Sequence, residues 1–174
     1  MVEIAKAHSI DLKIGSKESK DIACQVVRGR SPCGLSFSIE ATLSGPQNHP
    51  FPVVAAALNM IGETKYAEEL GAAIIKTDKG RITAFANGHI MIIADKEEAE
   101  VLLQRICETI LRVQMCIGCK ICEKNCEQGA IFVKETITID EKRCNHCGKC
   151  ATGCIAADQA AKIFRNIATL GTVP

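Results

Sequence analysis

Helical periodicity is clearest between residues 95 and 113. Ala99, Leu102, Leu103, Ile106, Ile110 and Val113 recur every three or four positions, the spacing that lines one face of an α-helix. Asp95 opens the run, and Glu97 and Glu98 fall where the positive end of the helix dipole favours carboxylates. The pattern therefore predicts a helix over Asp95–Val113. Just upstream, Arg81–Phe85 and Ile90–Ala94 read as strands around Asn87-Gly88, a strong hairpin turn signal. Ala73–Thr77, Ile10–Ile14 and Leu35–Leu43 read as further strands. Apolar runs predict helices over Pro52–Ile61 and Thr64–Leu70, ended by Gly62 and Gly71. Later, Ile131 and Val133, then Ile137 and Ile139, alternate around Lys134-Glu135, a period-two hairpin. Ala161, Ile163, Phe164, Ile167 and Leu170 mark a second amphipathic helix over Asp158–Leu170, expected to fold back on the cysteine-rich or N-terminal part or, as the alternative, to dock on another chain.

Charge adds little: 21 Lys and Arg against 20 Asp and Glu leave +1. That balance speaks against a nucleic-acid partner held through phosphates. The longest purely apolar stretch, Val53–Leu58, is far too short to cross a bilayer, and Met1–Lys6 shows no export signal. The expectation is a cytoplasmic protein without membrane insertion.

Cysteine changes the picture. There are 11 in 174 residues, and without an export signal an odd total does not read as a disulfide scaffold. Eight lie between Cys116 and Cys154, while Cys24, Cys33 and Cys107 are scattered. This division sets expected domains at 1–114, 115–157 and, as the C-terminal helix, 158–174.

The cysteine-rich segment is an internal repeat. Cys116-Ile-Gly-Cys119-Lys-Ile-Cys122-Glu-Lys-Asn-Cys126 is followed 28 residues later by Cys144-Asn-His-Cys147-Gly-Lys-Cys150-Ala-Thr-Gly-Cys154. Both copies have the spacing C-x2-C-x2-C-x3-C, which holds cubane clusters in two-cluster ferredoxins, the fourth cysteine crossing to the other cluster. Zinc modules instead use C-x2-C pairs separated by a longer loop. Over Met115–Ala157 the chain resembles bacterial-type dicluster ferredoxins. The resemblance implies two 4Fe–4S clusters, one on Cys116, Cys119, Cys122 and Cys154, the other on Cys144, Cys147, Cys150 and Cys126. It implies a βαββαβ-like module whose hairpin shields the clusters with aliphatic side chains. The chain departs from the family at Glu127 and Ile155, where such modules usually carry proline. His146 lies within the second copy and reads as an exposed neighbour of the ligands.

The fold class is thus α+β: a small N-terminal sheet with helices on one face, then the two-cluster module. The N-terminal part shows no phosphate-binding glycine loop, no Ser-His-Asp order and no catalytic metal cluster. His8, His49 and His89 are isolated, and Cys107 falls on the apolar side of its helix. Cys33, between Pro32 and Gly34 and near Arg28 and Arg30, is the candidate catalytic thiol; with Cys24 it reads as a redox pair, as ligands of a further cluster, or as two unpaired thiols of no special role. The basic loop around Arg28 and Arg30 also suits an anionic substrate or an acidic partner edge. Gly80–Ile131, a hairpin and acidic-start helix running into Cys-x-Gly-Cys, resembles the tail of archaeal phosphoadenosine-phosphosulfate-reductase-like proteins fused to ferredoxin. That resemblance implies anaerobic sulfur or one-carbon metabolism.

Three functions follow. The leading expectation is an electron-transfer subunit that relays low-potential electrons to redox protein partners in a complex, more a component of an oxidoreductase than a catalyst by itself. The second is an iron–sulfur enzyme of reductive sulfur or one-carbon metabolism using Cys33 and Cys24. The third is a protein whose clusters only brace the fold. A homo-oligomer is compatible with each.

Overall fold

The computed structural model describes residues 22–30 and 36–170. The Ile10–Ile14 segment and Cys33 lie outside the described residues. Among them, strands β1 (Ala23–Arg30), β2 (Phe37–Ser44), β3 (Glu63–Ala67), β4 (Ala72–Lys76), β5 (Gly80–Phe85) and β6 (His89–Ala94) form one sheet in the order β1-β2-β6-β5-β4-β3. Every neighbouring pair is antiparallel. The hairpin at Asn87-Gly88 forms as its dipeptide predicts. Gly88 has φ +86°, and a Cβ there would lie 2.2 Å from the Leu43 carbonyl, so the turn needs glycine for backbone freedom and for space.

One face of the sheet is apolar: Ile39, Ala41, Ile75, Ile82, Ile90 and Ile92 are buried on it. Helix α2 (Lys96–Gln114) lies across this face with Ala99, Leu102, Leu103 and Ile106 inward. Asp95 is its extended N-cap, and Glu97 and Glu98 occupy the first turn. Helix α4 (Ile155–Leu170) packs on α2 and adds Ala160, Ile163 and Ile167 to the same core. It starts at Ile155, three residues ahead of the expected Asp158.

Helix α1 (Phe51–Ala57), with Pro52 in its first turn, continues as a 3-10 turn over Leu58–Met60. Its Val54 and Ala57 form a second core with Met60, Val113 and the hairpin residues Ile131, Val133, Ile137 and Ile139. That hairpin is β7 (Ile131–Val133) paired with β8 (Ile137–Ile139). Residues on both sides of Met115 thus share one apolar cluster.

Three expectations need correction. Thr64–Leu70 is not a helix. Glu63–Ala67 pairs with Ala72–Lys76 as a strand, one 3-10 turn follows at Glu68–Leu70, and Gly71 closes it in the left-handed region at φ +54°. Backbone pairing with β4 overrides the local helical tendency. Ala23–Arg30, in which no strand was expected, is one of the two edge strands of the sheet among the described residues. Finally, residues 115–157 carry a short helix α3 (Ile121–Lys124), β7, β8 and a 3-10 turn at Lys149–Ala151, without the outer strands of a βαββαβ order among the described residues. The chain enters the module directly from α2 and leaves it directly into α4.

Candidate metal centre

The two cysteine loops share one backbone solution. Gly118 and His146, the third residues of the two runs, have φ +71° and +57°; Lys120 and Gly148, the fifth, have +62° and +76°. Two left-handed residues per loop curl it tightly around its cysteines, at a cost for the two that carry a Cβ.

Two cavities result. The first, about 100 Å³, is lined by Cys116, Cys119 and Cys122 from one copy and Cys154 from the other, with Val133, Ile137 and Ile155 as apolar wall. The second, about 70 Å³, is lined by Cys144, Cys147 and Cys150 with Cys126, and walled by Met60, Ala130 and Ile131. The structure therefore places on each cavity one of the two groups of four thiols that the ferredoxin resemblance implies, each containing one cysteine from the other copy. The hairpin lends aliphatic side chains to both cavities. Among the described residues no three Cys, His, Asp or Glu side chains converge on a single-ion position. A mononuclear zinc site demands that convergence; a cube, with one thiolate per iron, needs sulfurs spread around a void. The donor set fits a cube.

Cys122 and Cys154 are buried, whereas Cys119 and Cys147, equivalent positions of the two copies, are exposed. Burial pushes the free Cys122 thiol up; Cys144 is raised for the same reason, against a backbone hydrogen bond from His146 that lowers it. Thiolates in such surroundings call for a positive counterpart. The Ala130 amide donates to Cys126 Sγ at 3.3 Å. Arg112 Nη1 donates to Cys150 Sγ at 3.4 Å and Nη2 to the Cys150 carbonyl at 2.9 Å. Burial alone would lower the Arg112 pKa, but that bond and the charges of Cys150, Cys154 and Cys122 hold it above the ordinary value. Glu127, standing where the family has proline, accepts two bonds from Lys149 Nζ at 2.8 and 2.9 Å across the second cavity's rim. His146 is exposed, its Nδ1 3.9 Å from Cys144 Sγ.

The other candidates are placed differently. Cys24, half-buried on β1, is held below the usual thiol range first by a hydrogen bond with Cys107 and then by Arg28, against burial. Cys107 is fully buried, as its place on the helix predicted, and is pushed up by that same bond and by burial. Arg28 is engaged by Glu100 of α2, with Nη2 3.1 Å from the carboxylate. His49 is anchored through its backbone, its N–H donating to Gln114 Oε1 and its carbonyl accepting from Gln114 Nε2. His89 packs beside Phe85. Arg112 is the residue sequence reasoning missed: only its burial on a helix whose polar face is covered reveals it.

Residues 115–157 match the family of the 4Fe-4S dicluster domain. This segment is an iron–sulfur electron-transfer module, and its cofactors are 4Fe–4S clusters. Over 40 residues the chain is 52% identical to a subunit of the ion-translocating oxidoreductase complex of Methanosarcina acetivorans, a stretch that covers 22% of this chain and 15% of that protein. The chain thus matches only a small part of that relative's length. No solved structure matches. The family match begins at residue 115, so the likeness of Gly80–Ile131 to reductase-like tails gains no support from it. No helix among the described residues is long and apolar enough to cross a membrane.

Proposed function

We propose that this protein is an electron-transfer subunit with two 4Fe–4S clusters, one held by Cys116, Cys119, Cys122 and Cys154, the other by Cys144, Cys147, Cys150 and Cys126. It relays low-potential electrons within a cytoplasmic redox complex. The observation that carries this reading is the crossed grouping of eight thiols around two separate cavities. With four thiolates per cube no iron keeps an open position, so the chemistry supplied is outer-sphere transfer of single electrons. The chain's own residues provide the rest. Val133, Ile137 and Ile131 keep water from the cavities, and exposed Cys119 and Cys147 give each an edge at the surface where a partner's centre can approach. Six Lys and Arg against five Asp and Glu between Cys116 and Cys154 suit a subunit fixed in a complex better than a freely diffusing carrier. The relative's place in an oxidoreductase complex supports the same reading.

Anaerobically purified protein is expected to hold about eight irons and eight sulfides. In Cys126→Ala the cluster of Cys144, Cys147 and Cys150 should be damaged and the other retained. Loss of only the cluster of Cys116, Cys119 and Cys122 would overturn the crossed assignment. Purification of the native complex should bring down a partner that carries a catalytic cofactor.

A further inference from the structure

An arginine on a surface helix ordinarily keeps its head in water. Arg112 does not. It is 5% exposed, among the few buried charged or polar residues of the described chain. Its hydrogen bonds go to Cys150 Sγ at 3.4 Å, the Cys150 carbonyl at 2.9 Å and Met60 Sδ at 3.5 Å. None of these partners is a carboxylate. Its Nε is buried and has no hydrogen-bond partner among the described residues. A buried cation is costly unless an anion compensates it, and a buried N–H without an acceptor adds to the cost. The group that would repay both is a negatively charged cluster: Cys150 lines the second cavity, and Cys154 of the first cavity shares a further cleft with Arg112.

We propose that Arg112 is a tuning residue that raises the reduction potential of both clusters, and of the one on Cys150 more than the other. This rests on the ligand assignment proposed above. One electron arriving from a reductant or from the neighbouring cube adds one negative charge to the cluster that receives it; no bond forms or breaks, and Arg112 keeps its proton throughout. A fixed positive charge in a low-dielectric site favours the reduced, more negative form, and N–H···S hydrogen bonds act in the same direction. Arg112 sits on α2, the helix at the centre of the N-terminal core, so a displacement of α2 by a bound partner would be felt at the clusters as a change in potential.

The test is an anaerobic redox titration followed by electron paramagnetic resonance, on the full chain. Arg112→Gln removes the charge and keeps a donor; Arg112→Lys keeps the charge and gives up the fork. Both should hold about eight irons. In Arg112→Gln both potentials should fall, and more for the signal that Cys126→Ala removes; Arg112→Lys should recover part of the loss. Potentials unchanged in loaded Arg112→Gln, or a fall confined to the other cluster, would overturn the inference, because a residue that merely staples α2 to the Cys150 loop would leave them in place. Should Arg112→Gln fail to assemble, the wild-type protein still decides. With guanidinium-15N arginine, pulsed resonance of the reduced protein should show a nitrogen coupling that is missing in Arg112→Lys, and its absence from wild type would sink the inference. Wild-type protein with no cubes at all would instead count against the ligand assignment.

Discussion

Gly118 and His146 occupy the same place in the two copies of the cysteine repeat and share a left-handed backbone, at φ +71° and +57°. Two residues further on the arrangement is reversed, with Lys120 at +62° and Gly148 at +76°. Each copy therefore uses glycine at one left-handed position and tolerates a side chain at the other.

His146→Gly should relieve that strain, adding roughly 1–2 kcal/mol to the stability of the cluster-loaded protein. Its side chain offers little in exchange, since it is exposed and makes only the 3.9 Å approach to Cys144. Gly148→Val should act the other way, although nothing lies within 4 Å of a Cβ there, because the strain is in the backbone. Anaerobic denaturant titration measures both. Equal midpoints for wild type and His146→Gly would show that the loop conformation is dictated by the cofactor at no cost.

Iron removal should reach beyond the cysteine loops. Val54, Ala57 and Met60 share a core with Ile131, Val133, Ile137 and Ile139, and that core lies against both cavities. After anaerobic chelation, amide exchange is expected to accelerate in Ile131–Ile139 and also in Phe51–Ala57. Gly80–Phe85 and His89–Ala94, which belong to the other core, should stay protected. Unchanged protection of Phe51–Ala57 would refute this coupling.

Cys24 and Cys107 should differ sharply as nucleophiles. Cys24 is held low by Cys107 and Arg28, so its thiolate is available below the usual thiol range. Alkylation followed by peptide mapping should label Cys24 at neutral pH and Cys107 only on unfolding. Cys107→Ala removes the hydrogen bond, which should raise the Cys24 pKa and slow its labelling at neutral pH. An unchanged rate would show that Arg28 alone sets it.

Asn59 joins the two halves of the structure. Its amide donates to Ala56 O and Glu141 Oε1, and its carbonyl oxygen accepts from the buried Thr64 N–H at 3.0 Å. Asn59→Ala leaves that N–H without a partner and should cost about 1–3 kcal/mol. Glu141→Gln keeps an acceptor for Asn59 and should cost less. Thermal unfolding under anaerobic conditions reads both.

The features legible in the sequence were those whose signal is local. Helix α2 repeats its apolar residues at helical spacing, Asn87-Gly88 demands a turn, and eight cysteines in two equal runs carry their own geometry. Thr64–Leu70 was misread because what decides it is remote: Thr64 faces Ile75 and Tyr66 faces Ala73 across a strand pair. Ala23–Arg30 escaped because adjacent Val26 and Val27 and the interior Gly29 break the alternation that marks a strand. Arg112 was invisible for a third reason. At the end of α2 the four consecutive residues Leu111, Arg112, Val113 and Gln114 are all buried, since the Cys150 loop covers Arg112 and the Asn48–His49 segment covers Gln114 on sides that a single helix would leave to solvent.

Cys116 and Cys154 line the same cavity although 38 residues separate them. Cys116 follows Met115, the C-cap of α2, and Cys154 immediately precedes α4, which packs back on α2. A cofactor bound to both is topologically a cross-link, a clasp that closes the whole module into a ring. For a covalent bridge of that span, chain entropy alone favours the closed form by about 4 kcal/mol. The redox group would then also be the fastening that keeps α4 seated, so that losing the metal loosens α4 before it unfolds the sheet.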